Sequence, residues 1–173
     1  MRVALDAAGD TFITGWTGST NFDTLHATTN FQTFVSPTNS GADVFVTKFD
    51  ASGTNIVFTS VFGGRLADQG WDIAVDAAGN SFITGYTDST NFPVAGLDTN
   101  SLLRATNSGS RDAFIAELNA TGTALVYSAY LGGKGSDAAH AIEIDSAGNA
   151  YIVGGTASTN NFPLVSQIGR AHV

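Results

Sequence analysis

The sequence predicts an all-β fold assembled from repeated four-stranded antiparallel units, and three observations carry that reading. First, one stretch recurs: Ile73 to Pro93 reads IAVDAAGNSFITGYTDSTNFP, Val3 to Phe22 reads VALDAAGDTFITGWTGSTNF, and Ile142 to Pro163 reads IEIDSAGNAYIVGGTASTNNFP. Its aspartates Asp6, Asp76 and Asp145 lie 70 and then 69 residues apart. Second, another block recurs between the copies: DVFVTKFDASGTNIVFTSVFGG from Asp43 to Gly64 returns as DAFIAELNATGTALVYSAYLGG from Asp112 to Gly133, a shift of 69. Third, each apolar segment is short, rich in Val, Ile, Phe, Tyr and Thr, bounded by turn residues and free of any 3.6-residue stripe. A fixed period of this length marks a supersecondary unit that buries its faces against its neighbours.

In the complete unit four strands are expected in order. Strand A covers about Gly70 to Val75, strand B Ser81 to Thr87, strand C Ala113 to Leu118 and strand D Ala124 to Leu131. The A–B link, Asp76-Ala77-Ala78-Gly79-Asn80, reads as a tight hairpin, because Asp bonds its own backbone and Gly supplies positive φ. Asp6, Asp145 and Gly148 hold the corresponding places in the other copies, and Asn119 to Thr123 repeats the same chemistry between C and D. Phe82-Ile83 and Leu125-Val126-Tyr127 are apolar at consecutive positions, so both faces of the sheet are expected to be buried. A four-stranded antiparallel unit covered on both faces and repeated along the chain describes the blade of a β-propeller. The expected organisation is blade one over residues 1–64, blade two over 65–133, and the first half of blade three over 134–167, a propeller fragment of about two and a half blades.

Composition narrows the function classes. The formal charge is -8, with Lys and Arg numbering 7, which argues against nucleic acid and anionic membrane as partners. No apolar run approaches the roughly 20 residues of a membrane-spanning helix, so no membrane insertion is expected. Cysteine is absent, which removes disulfides, thiolate metal sites and a cysteine nucleophile. Abundant Thr, Ser, Asn and Gly suits a secreted bacterial β-protein.

The two recurring blocks, I-A-V-D-x-x-G-N through S-T-N-F-P and D-A-F-I-A through Y-L-G-G, resemble the bacterial β-propeller repeat called SBBP. Ile73 to Pro93 and Asp112 to Gly133 carry the resemblance almost letter for letter. Asp23 departs from it where the proline of NFP stands in the second copy, and Asn160-Asn161 adds a residue in the third. The resemblance implies a propeller within a large secreted or cell-surface bacterial protein, whose remaining blades would be partners of these. It implies no catalytic residues and no cofactor.

Candidate chemistry is sparse. D-x-x-G-N lacks the alternating oxygen ligands of an EF-type calcium loop, so the repeated aspartates are expected to cap turns. Asp43 and Asp112 are expected to bond backbone or hydroxyl groups where strand C begins. His26, His140 and His172 have no ligand spacing, and no metal site or nucleophile motif is present. In an antiparallel blade the B–C and D–A loops share one face. The B–C loops, DTLHATTNFQTFVSPTNSGA and PVAGLDTNSLLRATNSGSR, are long and differ between copies. The D–A segments contribute Asp68 and Trp71 in one copy, Asp137 and His140 in the next. Long loops on a rigid scaffold are where binding sites sit, so Asp68, Trp71, Asp137 and His140 are the candidate ligand residues. The expected function is a non-catalytic scaffold of a secreted or surface protein that binds protein or glycan through this face. The alternative is part of a propeller enzyme acting on polysaccharide.

Both ends of the sequence read as cut within a repeat. Ile168 to Val173, IGRAHV, matches the translation of a common sequencing adapter and is expected to be a non-native tail on a metagenomic fragment. Blades stabilise one another through their shared faces, so the chain expressed alone is expected to associate or to melt non-cooperatively. Analytical ultracentrifugation with a denaturant melt checks this, and a monomer with one sharp transition contradicts it.

Overall fold

The computed structural model describes residues 1–19, 22, 29–34, 41–97, 103–159 and 161–163, with only the backbone described for 29–34. His26, His172 and the expected tail from Ile168 lie outside the described residues.

Eleven strands and no helix are found among these residues. The second sheet is the complete unit. β6 (Asp68–Val75), β7 (Ser81–Thr87), β8 (Asp112–Leu118) and β9 (Leu125–Leu131) pair antiparallel in chain order. These are strands A to D, with β6 starting two residues earlier than expected. The first sheet repeats the pattern with β1 (Arg2–Leu5), β2 (Thr11–Thr17), β4 (Asp43–Phe49) and β5 (Ile56–Phe62). It adds β3 (Thr29–Phe34), parallel to β5 on the outer edge. β10 (Asp137–Ile144) and β11 (Ala150–Thr156) form a third, two-stranded sheet.

Each A–B turn is built as the sequence predicts. The Asp76 carboxylate accepts the amides of Ala78 and Asn80 at 2.9 Å and the Asn80 side-chain amide at 2.9 Å. Asp6 and Asp145 accept the same two amides in their copies. Asn149 and the Tyr151 hydroxyl also donate to Asp145 and hold its carboxyl down at about 2. Gly79 has φ of 86° and Gly148 of 84°, a region closed to branched side chains without strain.

Two apolar layers join the three sheets. The first holds Phe12, Val44, Val46, Phe58 and Phe62 from one sheet against Ile73, Ile83, Phe114, Ala116, Leu118 and Tyr130 of the next, with Phe92 between them. Phe92 stacks on Phe114 at 4.7 Å and meets Phe62 edge-on at 6.0 Å. The second layer places Phe82, Ile115 and Ala129 against Ile142, with Ile144 and Ile152 packed on it. Ile83 and Phe82 thus point into opposite layers, and every residue of β7 is buried. That explains the missing apolar–polar alternation. Burying each Phe or Ile contributes about 1.5–3 kcal/mol.

The innermost position belongs to strand A. β6 borders β1, β2 and β10 in the adjoining sheets. Asp72 ties these strands together: its carboxylate accepts the Ile142 amide at 2.9 Å and lies 3.7 Å from the Arg2 guanidinium.

Gly79→Val forces a β-branched residue to positive φ and is expected to cost about 1–3 kcal/mol, well beyond an ordinary surface change. Urea denaturation of the variant beside the parent chain measures it, and an unchanged midpoint contradicts the turn geometry.

Candidate functional site

The D–A end of the blades brings Asp68, Trp71, Asp137 and His140 to two different settings. Asp68 and Asp137 are 0% and 1% exposed. Asp68 accepts the Gly64 amide at 2.5 Å, the Ser89 hydroxyl at 3.0 Å and the Thr87 hydroxyl. Asp137 accepts the Gly133 amide at 2.8 Å, the Ser158 hydroxyl at 2.7 Å and the Thr156 hydroxyl at 2.5 Å. Each carboxylate therefore ties the glycine pair closing one sheet to strands A and B of the next. They are built into the junctions, and a ligand would have to displace three donors to reach either one. Burial pushes the Asp68 carboxyl up to about 6 against those donors. Burial opposes ionisation of Asp137 too, but Thr156, Gly133 and Ser158 hold it below the usual carboxylate range. The difference follows the packing, since Asp68 lies between the two larger sheets and Asp137 beside the two-stranded one.

Trp71 and His140 occupy the other setting. Both are the extra residue of a β-bulge: pairing of β6 with β7 skips between Gly70 and Asp72, and pairing of β10 with β11 skips between Ala139 and Ala141. The partner strand accommodates the bulge through a glycine. A Cβ on Gly85 would overlap the Gln69 carbonyl oxygen, and one on Gly154 would overlap that of Ala138. Gly85 of T-G-Y and Gly154 of V-G-G thus leave the space into which the bulged backbone folds. Bulges re-aim a side chain away from the pleat. Here they bring Trp71 and His140 together at 5.2 Å across the sheet junction, with ring planes tilted by 35°.

The cluster continues on the other side of Trp71. Trp71 meets Tyr86 edge-on at 5.2 Å and donates from its indole to Gln69 at 3.2 Å. The Arg111 guanidinium lies 3.7 Å from the Tyr86 ring centre and pairs with both oxygens of Asp88, at 2.8 and 3.0 Å. Tyr86 is buried, Trp71 half-buried and His140 exposed. The result is a ladder of one cation and three rings with its exposed end at His140. Sequence reasoning found Trp71 and His140 by alignment of the copies but missed the bulges, Tyr86, Arg111 and Asp88. The repeated glycine opposite the bulge was the available signal.

The long B–C loop covers a blade edge. Its described residues run along the outer strand β9. Ala95 exchanges both backbone bonds with Ser128, at 3.1 and 2.9 Å, and Arg104 exchanges both with Tyr130, at 3.0 Å. The Tyr130 hydroxyl accepts the Phe92 amide at 2.8 Å and donates to the Ser89 carbonyl at 2.9 Å. In the first sheet β3 covers β5 in the same region. These loops screen outer edges that would otherwise template association.

Among the described residues no group of three or more His, Cys, Asp or Glu side chains is placed to hold a metal ion, and no helix is long and apolar enough to cross a membrane.

Gly85→Ala is expected to expel the bulge, separate Trp71 from His140 and destabilise the chain by about 1–3 kcal/mol through overpacking. Loss of the Trp71–His140 ring contact by NMR, with a lower denaturation midpoint, checks this.

No curated protein matches the chain. The family model described as SBBP, a beta-propeller repeat, matches residues 57–93 and 126–163. The first match runs from β5 to Pro93 and the second from β9 to Pro163, so each spans one sheet junction with its buried aspartate and its bulge. The chain is a β-propeller fragment, and two of its stretches match the SBBP beta-propeller repeat.

Proposed function

We propose that this propeller chain is a non-catalytic binding scaffold of a secreted or surface-exposed bacterial protein. It takes a protein or glycan ligand at the D–A end of its innermost strands. The observation that carries the reading is the pair of bulges that present Trp71 and His140 at equivalent positions of successive repeats. Around them the copies agree in strand length, turn chemistry and junction aspartate. At the bulge they differ, with Trp in one copy and His in the next. A scaffold that repeats its frame and varies the side chain it re-aims is suited to recognition. Aromatic and imidazole groups backed by Gln69 and the Arg111–Asp88 pair supply both a stacking edge and hydrogen-bonding groups, a combination that suits sugar rings or a polar peptide. Asp68 and Asp137, the carboxylates a polysaccharide-cleaving alternative would use, are held within the junctions. The charge of -8 weighs against nucleic acid as the ligand. The family resemblance supports an extracellular or cell-surface location and further blades as partners.

Glycan-array and bacterial surface-protein screens with the full chain identify a ligand. For any hit, Trp71→Ala is expected to weaken affinity by about 2 kcal/mol or more, as loss of an aromatic anchor does. Calorimetry measures it, and unchanged affinity in a folded variant removes Trp71 from the site.

A further inference from the structure

The sheet junctions hold more negative charge than their surroundings account for. At the first junction a Cβ on Gly63 would overlap the Asp43 carboxyl and stand 2.8 Å from Asp68 Oδ2. At the second a Cβ on Gly132 would overlap the Asp112 carboxyl and stand 2.9 Å from Asp137 Oδ2. Each glycine pair therefore closes over two aspartates, one opening strand C and one opening strand A of the next sheet. All four are 4% exposed or less. Two buried carboxylates crowded together are not both ionised without a compensating cation.

The donors are distributed unequally within the second pair. Asp137 receives three. Asp112 receives the Ser108 amide on Oδ2 at 2.8 Å, while its Oδ1, fully buried against Gly132, has no hydrogen-bond donor. A buried carboxylate oxygen with no donor is costly, but the same oxygen carrying a hydrogen is itself a donor beside an acceptor. We propose that the second sheet junction stores one proton: Asp112, the aspartate opening strand C, is the protonated member beside the carboxylate of Asp137.

Among the described residues, Arg104, Tyr130 and Arg111 do not replace that proton. Arg104 lowers the Asp112 carboxyl from a distance, but its own hydrogen bonds go to Ser108 and the Asn161 carbonyl. Tyr130 from β9 faces Asp68 and Asp112 as a neutral phenol, its ionisation pushed up to about 12 by burial. Asp88 adds negative charge beside Asp68, and Arg111 is spent on Asp88. Burial, then the Asp137 charge, raises the Asp112 carboxyl. A proton held more tightly by the folded chain stabilises it fully below the ordinary carboxylate value of about 3.9. That contribution fades as pH rises through the raised value. The junction is thus expected to be tightest in mild acid and to loosen toward alkaline pH.

Carboxyl-carbon NMR titration of the full chain tests this directly. Asp112 is expected to titrate above the ordinary aspartate range, and in Asp137→Asn its midpoint is expected to fall back toward that range. Asp112→Asn, which mimics the protonated acid, is expected to fold and to flatten the decline of the urea midpoint from pH 5 to 9. An Asp112 that titrates in the ordinary range overturns the proposal, whether or not the Asn variant folds. So does a calcium-dependent shift of the Asp112 and Asp137 signals with a matching rise in stability, which would make the pair a cation site.

Discussion

A carboxylate with no exposed surface governs how these sheets meet. Asp68 is tolerable in the interior because three donors converge on it, and those donors come from separate places: the glycine pair after β5, the end of β7 and the turn beyond it. The charge can be satisfied in only one relative placement of the two sheets. Apolar packing of Phe62, Phe92 and Phe114 supplies the larger attraction, but such packing is forgiving of small slides and rotations. The aspartate is not, and its repetition at Asp137 gives the next junction the same geometry. Stacking thus sets the strength of the assembly, and the buried acid sets its register.

The bulge on the innermost strand follows from this arrangement. Between the junction aspartate at one end of β6 and Asp72, which is tied to Ile142 and faces Arg2, the backbone has one residue more than β7 can pair. Gly85 yields the space, and Trp71 leaves the pleat. The ladder of rings is therefore a by-product of frame geometry, held by the elements that hold the blades together.

Much of the frame was legible because its signals are local. Asp76, Gly79 and Asn80 form a turn with only each other, so a sequence of five residues suffices to read it. The consecutive apolar residues of β7 announced two buried faces. What escaped were matters of pairing over long separation. Nothing in Gln69-Gly70-Trp71 alone shows that one residue will go unpaired, since that depends on the register against Gly85. The sequence marks Asp68 and Asp137 as candidate ligand residues because it records an acid but not the three donors that enclose it. β3 and the edge-covering path of the second long loop lie where the copies diverge, so the repeat offered no template for them.

The fastening of that loop has a consequence for how the protein can change. Ala95 and Arg104 each exchange two backbone bonds with β9, so the chain is anchored on both sides of the intervening segment. Length added between the anchors need not strain the sheet, because the closure entropy of a loop grows only slowly with its size. The outer wall of the blade is in this sense a graft point: peptides of varied length could be displayed there, each closed by the same two pairs of backbone bonds, while the innermost strands remain unaltered.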